Sequence, residues 1–490
     1  MNSEIQFHKW NKHDYKRLYS SIRDILDINN LQFYMPFYSL YFYIHNKPKA
    51  NHKIDMKRNY YLKEVLEITK SRYYNSNMFL KGNIYNESKN IVTECELFCK
   101  SIPILDPIHI VNNNYNLVNH NNYHLPSNYN YNTFHKINDM NNTAYIDVLC
   151  SFLFGNLTHY KKNPSFPLYY GSVNGIGDYN YDLTEDYDDI KNDRCFNENI
   201  DKGFKLEIYV SEDESSSESD ESSSDDEDDK SDADSEPEKS DDEDEKYKDN
   251  SFDDCIAKLL KIPIQLLFIE KLEGTLEDLL DEDIAEDVLL SCIFQISFAL
   301  TYLQKHFAFT HNDLHINNIM YKSTTTTYLY YKYNNIYFKV PTHGYIFKII
   351  DFGRSIYTFK NKTYHNDVYS KYGEAEGQYQ YPIPNVASYR DNRYKNDIMP
   401  NPSFDMCRLS TTMLDFIDEN NDLYNFLNNI VIDKNGKNIY DDMSDSFDLY
   451  IDIAKNACNG IPHELIHDDI FKKYRIKKKV FPKRDYYCMD

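Results

Sequence analysis

The sequence predicts an α+β protein in which short strands come first and long helices last. Three observations carry this prediction. The apolar segments NMFLKGNIY and IVTECELFCK flank the polar turn NESKN, as two antiparallel strands would. A second apolar run, PIQLLFIE, has strand length. Downstream, EDIAEDVLLSCIFQISFALTYLQKHF places Ile284, Val288, Cys292, Ile296, Ala299 and Leu303 at spacings of three and four, the signature of a buried helix.

Taken in order, residues 1–75 mix Tyr, Leu and charged side chains with few breakers. YYLKEVLEITKSRYY carries helical spacing, so a helical N-terminal extension is expected there. The sheet is expected from about residue 76. An Asn-rich loop spans about 108–140, TAYIDVLCSFLFGNLTHY reads as a helix and FPLYYGSV as a strand, with GSVNGIG (171–177) as a turn. An insertion at about 174–255 then separates that strand from PIQLLFIE. Its centre, residues 211–250, holds 21 Asp/Glu against 4 Lys, together with eleven serines. Such a segment buries too little apolar surface to offset chain entropy and is expected to be disordered. Serines embedded in acid are also the substrate pattern of an acidophilic kinase.

That segment supplies about −17 of the formal charge of −24, so the rest of the 490-residue chain is only mildly acidic. A nucleic-acid binder needs clustered Lys and Arg, and the one basic run, KKYRIKKKVFPKR, reads as a solvated tail. No nucleic-acid partner is expected. Nine cysteines without a CxxC pair argue against a zinc site or disulfide framework and fit a reducing compartment. The N-terminus lacks the apolar core of a signal peptide, and no run approaches about 18 consecutive apolar residues. A soluble cytoplasmic protein without membrane contact is therefore expected. The abundance of Asn, Tyr, Lys and Ile, all encoded by A/T-rich codons, reflects genome composition more than chemistry.

The chemistry concentrates in HNDLHINN, residues 311–318, directly behind the long helix. His311 and His315 stand four apart, but a zinc protease needs Glu after the first His, and Asn312 occupies that place. Phosphoryl transfer uses more of the residues. A hydroxyl attacking a phosphoryl group needs a carboxylate to orient it and accept its proton, and the nucleotide's magnesium needs hard oxygen ligands. Asp313 can supply the first and Asn318 part of the second. A second carboxylate, Asp351, follows at the end of the apolar strand YIFKIIDFG.

HNDLHINN followed by DFG resembles the catalytic and magnesium-binding motifs of the protein-kinase-like superfamily. The resemblance implies a bilobal protein-kinase-like fold, with an antiparallel-sheet N-lobe and a mainly helical C-lobe. The boundaries would be an extension at 1–75, an N-lobe at 76–271 that contains the insertion, and a C-lobe at 272–490. It implies ATP and Mg2+ as cofactors, with Asp313 as catalytic base and Asn318 and Asp351 as magnesium ligands. His315 stands beside the base, where Lys is typical of Ser/Thr kinases. His311 would be packed beneath the loop, Phe352 and Gly353 would complete the DFG turn, and Asp405 in SFDMCRLSTTML would brace the loop backbone.

Upstream, Lys100 resembles the lysine that holds the nucleotide's phosphates, and Asp147 would replace the usual helix Glu as its partner. Gly82 stands alone where a glycine-rich loop is expected. PIQLLFIEKLEGTLEDLL resembles the last N-lobe strand and hinge. Glu270, Lys271 and Leu272 would set backbone groups against adenine there, and Phe268 or Ile269 would guard the pocket. Asn312 replaces the Arg that many regulated kinases carry before the catalytic Asp, so activity need not depend on activation-segment phosphorylation. DLHxxN also resembles haspin-like kinases and aminoglycoside-phosphotransferase-like small-molecule kinases.

Over residues 80–470 the chain is similar to Ser/Thr protein kinases of mimivirus-like giant viruses, which implies protein substrates with Ser/Thr acceptors and a place in the host cytoplasm or virion. Three readings stand at this point: a Ser/Thr protein kinase, a small-molecule kinase, and an ATP-binding scaffold without transfer.

Overall fold

The computed structural model describes residues 5–6, 12–33, 55–56, 58–71, 76–115, 125–126, 135–209, 254–282, 284–359, 362–370, 373, 375–379, 400–440 and 446–489. Within them the chain is α+β, as the sequence predicts. Helix α1 (Lys12–Leu26) leads into strand β1 (Asn29–Gln32), and then come β2 (Tyr60–Ser71), β3 (Met78–Asn86) and β4 (Ile91–Pro103). Helix α2 (Thr143–His159) precedes β5 (Tyr169–Asp182), β6 (Phe204–Tyr209) and β7 (Asp254–Glu270). These seven strands form one antiparallel sheet in the order β1-β5-β7-β4-β3-β2, with β6 also paired to β7.

Strand β2 corrects the expected helix in YYLKEVLEITKSRYY. Its pairing with β3 slips at three places, between Leu62 and Glu64, Val65 and Glu67, and Ile68 and Lys70. Each slip adds one unpaired residue, so Leu62, Val65 and Ile68 return to the same face at intervals of three instead of two. A bulged strand thus reproduces a helical spacing. Of the first 75 residues, the described helix is α1 alone. It lays Leu18, Ile22 and Leu26 against the sheet.

The expected turn GSVNGIG is also strand, inside β5, and the described residues up to 209 are folded, with β6 paired to β7. The insertion is therefore shorter than 174–255 at its N-terminal end. The acidic centre lies outside the described residues.

Helix α3 (Leu276–Asp281) starts the helical body with a capping box, in which Thr275 accepts from the Asp278 amide and the Asp278 carboxylate accepts from the Thr275 amide. Helix α4 (Glu286–Phe307) follows. It is long and apolar enough to cross a membrane, but its apolar residues are packed in the core. The chain then forms β8 (Ile319–Ser323), the Tyr-rich hairpin β9 (Tyr328–Tyr333) and β10 (Ile336–Pro341), and β11 (Tyr345–Ile349), which pairs with β8. Helices α5 (Phe404–Met413), α6 (Asp422–Ile430) and α7 (Ser446–Asn456) complete the body. The basic run near the C-terminus is not simply solvated: its Tyr474, with Phe471 just before the run, is buried against Phe294, and Arg475–Ile476 pairs with β10. All nine cysteines are free thiols.

Candidate active site

Lys100 projects from β4, in the interior of the sheet, where it pairs in register with Leu267 of β7. Its ammonium lies 2.7 Å from Asp147 Oδ2 and 2.9 Å from Asp351 Oδ1. Asp147 reaches it because α2 is sunk into the core along most of its length. Asn142 caps the helix by accepting from the Ala144 amide, and Gly155 lets it touch β5. A Cβ at Gly155 would stand 2.8 Å from the Pro167 carbonyl oxygen. The expected Lys100–Asp147 pair is thus formed despite the short aspartate side chain. Asp147 Oδ1 also accepts from the Phe352 amide at 3.1 Å, so one carboxylate joins the sheet lysine to the DFG turn. Desolvation would lower the Lys100 pKa, but the two carboxylates raise it overall. Desolvation likewise opposes ionisation of Asp351, yet Lys100 brings that carboxyl down to about 2. Both groups are charged at neutral pH.

The loop at 311–318 is fixed from below. Asp405, fully buried in the first turn of α5, accepts from the His311 amide with both oxygens, at 3.0 and 2.9 Å, and from the Asn312 amide at 3.0 Å. Burial pushes the Asp405 carboxyl up, while His311 and these amides hold it back. His311 Nε2 lies 2.8 Å from the Ile350 carbonyl oxygen, and its ring packs on Phe352. Phe352 is buried against Phe154 of α2. Gly353 turns the chain away, and its carbonyl accepts from Asn366. Asn312 is buried with Tyr379 donating to its Oδ1 at 3.0 Å, so this position anchors the following segment by neutral hydrogen bonds.

Asp313 is half-buried at the loop's apex, and Tyr450 of α7 donates to its Oδ1 at 2.6 Å. The Asn318 amide donates to the Asp313 carbonyl oxygen at 2.8 Å and lies 3.0 Å from His315 Nε2. Nε2 therefore accepts, and His315 carries its proton on Nδ1. Burial lowers the His315 pKa, which favours this neutral form. His315 acts on the site through Asn318.

Between the sheet and the helical body lies a cleft lined by Lys100, Asp147, Asn318 and Asp351 at its polar end and by Phe79, Leu267, Ile269, Leu272 and Met320 at its apolar end. Two expected nucleotide contacts are corrected here. Phe268 points to the other face of the sheet, into a small cavity beside Leu18 and Phe33, because alternation along β7 turns Leu267 and Ile269 to the cleft. Gly82 lies in the middle of β3 and not in a loop. A Cβ there would stand 2.9 Å from the Glu64 carbonyl oxygen, so the glycine serves sheet packing. The segment that joins β2 to β3, residues 72–77, contains no glycine. Its Asn77 lines the cleft, and 72–75 lie outside the described residues.

Glu270 and Leu272 both line the cleft. The Glu270 side chain is committed elsewhere: it is ion-paired to Lys322 and to Lys348 at 3.3 Å, and it accepts from the Leu168 amide at 3.1 Å. Desolvation would raise the Glu270 pKa, but the two lysines lower it. Neither lysine was singled out in the sequence, although a lysine inside the apolar strand YIFKII was a visible signal. Tyr450 gave none, standing 137 residues from Asp313.

The donor set suits a small hard cation. Asp351 is an ionised carboxylate, and Asn318, with its amide nitrogen bound to two acceptors, keeps its carbonyl oxygen for an ion. The Ile350 amide donates to the backbone carbonyl oxygen of Asn318, which keeps Asn318 and Asp351 adjacent and leaves the side-chain oxygen of Asn318 unengaged by this bond. Among the described residues no three or more His, Cys, Asp or Glu side chains are grouped so as to hold a metal ion. No model of a known protein family matches this chain, and no curated protein matches it.

Proposed function

We propose that this chain is a Ser/Thr protein kinase of the protein-kinase-like superfamily, bilobal about the cleft, which transfers the γ-phosphoryl group of ATP to protein hydroxyls. The observation that carries the reading is the double ion pair of Lys100 with Asp147 and Asp351 in the cleft wall. A lysine held charged by one buried carboxylate is suited to polyphosphate, and the second carboxylate is suited to the phosphates' metal. Leu267, Ile269, Leu272 and Met320 would sandwich adenine. With the Glu270 side chain clamped, backbone groups of residues 270–272 would pair with the base.

Asp351 and the Asn318 carbonyl oxygen would hold Mg2+, which when bound supplies charge neutralisation to the phosphates. Asp313 would orient the acceptor hydroxyl and take its proton. His315 would keep the Asn318 amide turned so that its oxygen is available. The resemblance to kinases of mimivirus-like giant viruses supports a protein acceptor and a cytoplasmic place, and the serines of 211–250 would be substrates of an acidophilic kinase.

The test is transfer of labelled γ-phosphate from magnesium-ATP to generic Ser/Thr proteins and to the chain itself, for wild type and Asp313→Asn. Transfer by wild type, reduced at least a hundredfold in the variant, is expected. Nucleotide binding without any transfer would replace this reading with the ATP-binding scaffold, which the absence of glycine from the sequence of 72–77 favours. Transfer to metabolites alone would replace it with a small-molecule kinase.

A further inference from the structure

Among the described residues the hydroxyl of Tyr450 is the one side-chain donor to the Asp313 carboxylate, at 2.6 Å, and it comes from a helix remote in sequence. The ring that carries it is gripped on several sides. The Arg408 guanidinium lies 5.0 Å from the ring centroid and that of Arg354 lies 5.9 Å away, while the Phe404 ring packs at 6.0 Å. Phe404 and Arg408 belong to α5, the helix whose Asp405 braces the loop from below, and Arg354 directly follows Gly353. Tyr450 is therefore seated on the elements that define the loop and the DFG turn. Burial and the neighbouring Asp313 raise the phenol pKa, against the pull of Arg408, so it remains a protonated donor at neutral pH.

A ring stacked against two guanidinium groups is poorly suited to swing away. It is well suited to hold a partner in one orientation. Asp313 is half-buried, and its backbone is fixed, while among the described residues no other side chain donates to its carboxylate. The neutral His315, committed to Asn318, does not supply one.

We propose that Tyr450 is a positioning residue for Asp313, fixing one carboxylate oxygen so that the other is presented to the acceptor hydroxyl. This rests on the kinase reading above. It assigns to a helix near the C-terminus the work of orienting the base, and it separates two jobs that a lysine beside the base could combine. The phenol holds the carboxylate, and the cations hold the phenol.

The test is Tyr450→Phe, which removes the hydroxyl and keeps the ring in its seat. Losing a hydrogen bond to a charged group corresponds to about a tenfold fall in kcat, with KM for ATP and for the acceptor and the melting temperature unchanged. Crystal structures of both proteins should show Asp313 in one rotamer in wild type and in several in the variant. An unchanged kcat together with an unchanged rotamer would overturn the proposal. A lower acceptor KM in the variant would overturn it too, since Tyr450 would then be competing with the acceptor. If wild type transfers no phosphate, the kinase reading falls while the rotamer comparison still decides whether Tyr450 positions Asp313.

Discussion

The Lys100–Asp147 pair can be examined through Asp147→Asn. The substitution conserves shape and removes the charge from a side chain that is 2% exposed, while its partner is 23% exposed. The asparagine oxygen can still accept from the Phe352 amide, as Asp147 Oδ1 does. That leaves an NH2 group where Oδ2 met the Lys100 ammonium at 2.7 Å, so one charge-assisted hydrogen bond becomes a contact between two donors. Such a bond contributes about 1.5–3 kcal/mol, and Asp351 remains to neutralise Lys100. The expected loss of stability is about 2 kcal/mol, read as a lower urea midpoint with an unchanged m-value. Asp147→Ala should cost more, because the Phe352 amide loses its acceptor as well. Nucleotide titration of the same variants should show affinity falling with the loss of the pair. A midpoint shift under about 0.5 kcal/mol for Asp147→Asn would refute the reasoning, because it would mean that the pair is solvated and does not organise the cleft.

Two further outcomes follow from the same geometry. His315 is held neutral with a depressed pKa, so its contribution is intact above the ordinary value near 6.5 and is lost as pH falls through the lowered folded-state pKa. Protonation of Nε2 would break its bond to Asn318, and magnesium affinity, measured by calorimetry with nucleotide, should fall as pH drops through the lowered His315 pKa. A His315→Gln variant should abolish that pH dependence. Gly82→Ala should destabilise the sheet by about 1–2 kcal/mol, since the new methyl meets the Glu64 carbonyl oxygen and Leu97 at 2.9 Å. Its nucleotide affinity should match wild type, and a selective loss of affinity at full stability would return Gly82 to the phosphate site.

Most of the polar end of the cleft was legible because its residues sit in short local patterns. Asp313 and Asn318 share one loop, and Asp351 ends an apolar strand. Lys100 and Asp147 were found through the resemblance, and the structure brings them together across 47 residues. What misled was periodicity under irregular pairing. The bulges of β2 gave Leu62, Val65 and Ile68 a helical spacing, and the glycines of β5 imitated a turn although each lies in a paired strand. The face of Phe268 was equally hidden. In a strand buried on both sides, Leu266, Leu267, Phe268 and Ile269 are all apolar, and only the register to β4 and β5 says which of them meet the cleft.

Three groups of charged side chains border the cleft, each with at least one buried member: Lys100 with its two acids, Glu270 with its two lysines, and Asp405 beneath the loop. Asp147, Glu270, Lys348 and Asp405 take charge out of water, which apolar packing of equal volume would avoid at less cost to stability. Their positions explain why the fold keeps them. The Glu270 cluster joins the end of β7 to the paired strands β8 and β11, of which β8 follows the 311–318 loop and β11 leads to Asp351. The Asp405 cluster holds the loop's backbone, and the Lys100 cluster joins α2 to the DFG turn through the Phe352 amide. Directional bonds fix distances between elements in a way that interchangeable apolar contacts do not. The chain has placed its most exacting interactions where the relative position of sheet, loop and turn determines whether five side chains, those of Lys100, Asp147, Asp313, Asn318 and Asp351, act on one ligand.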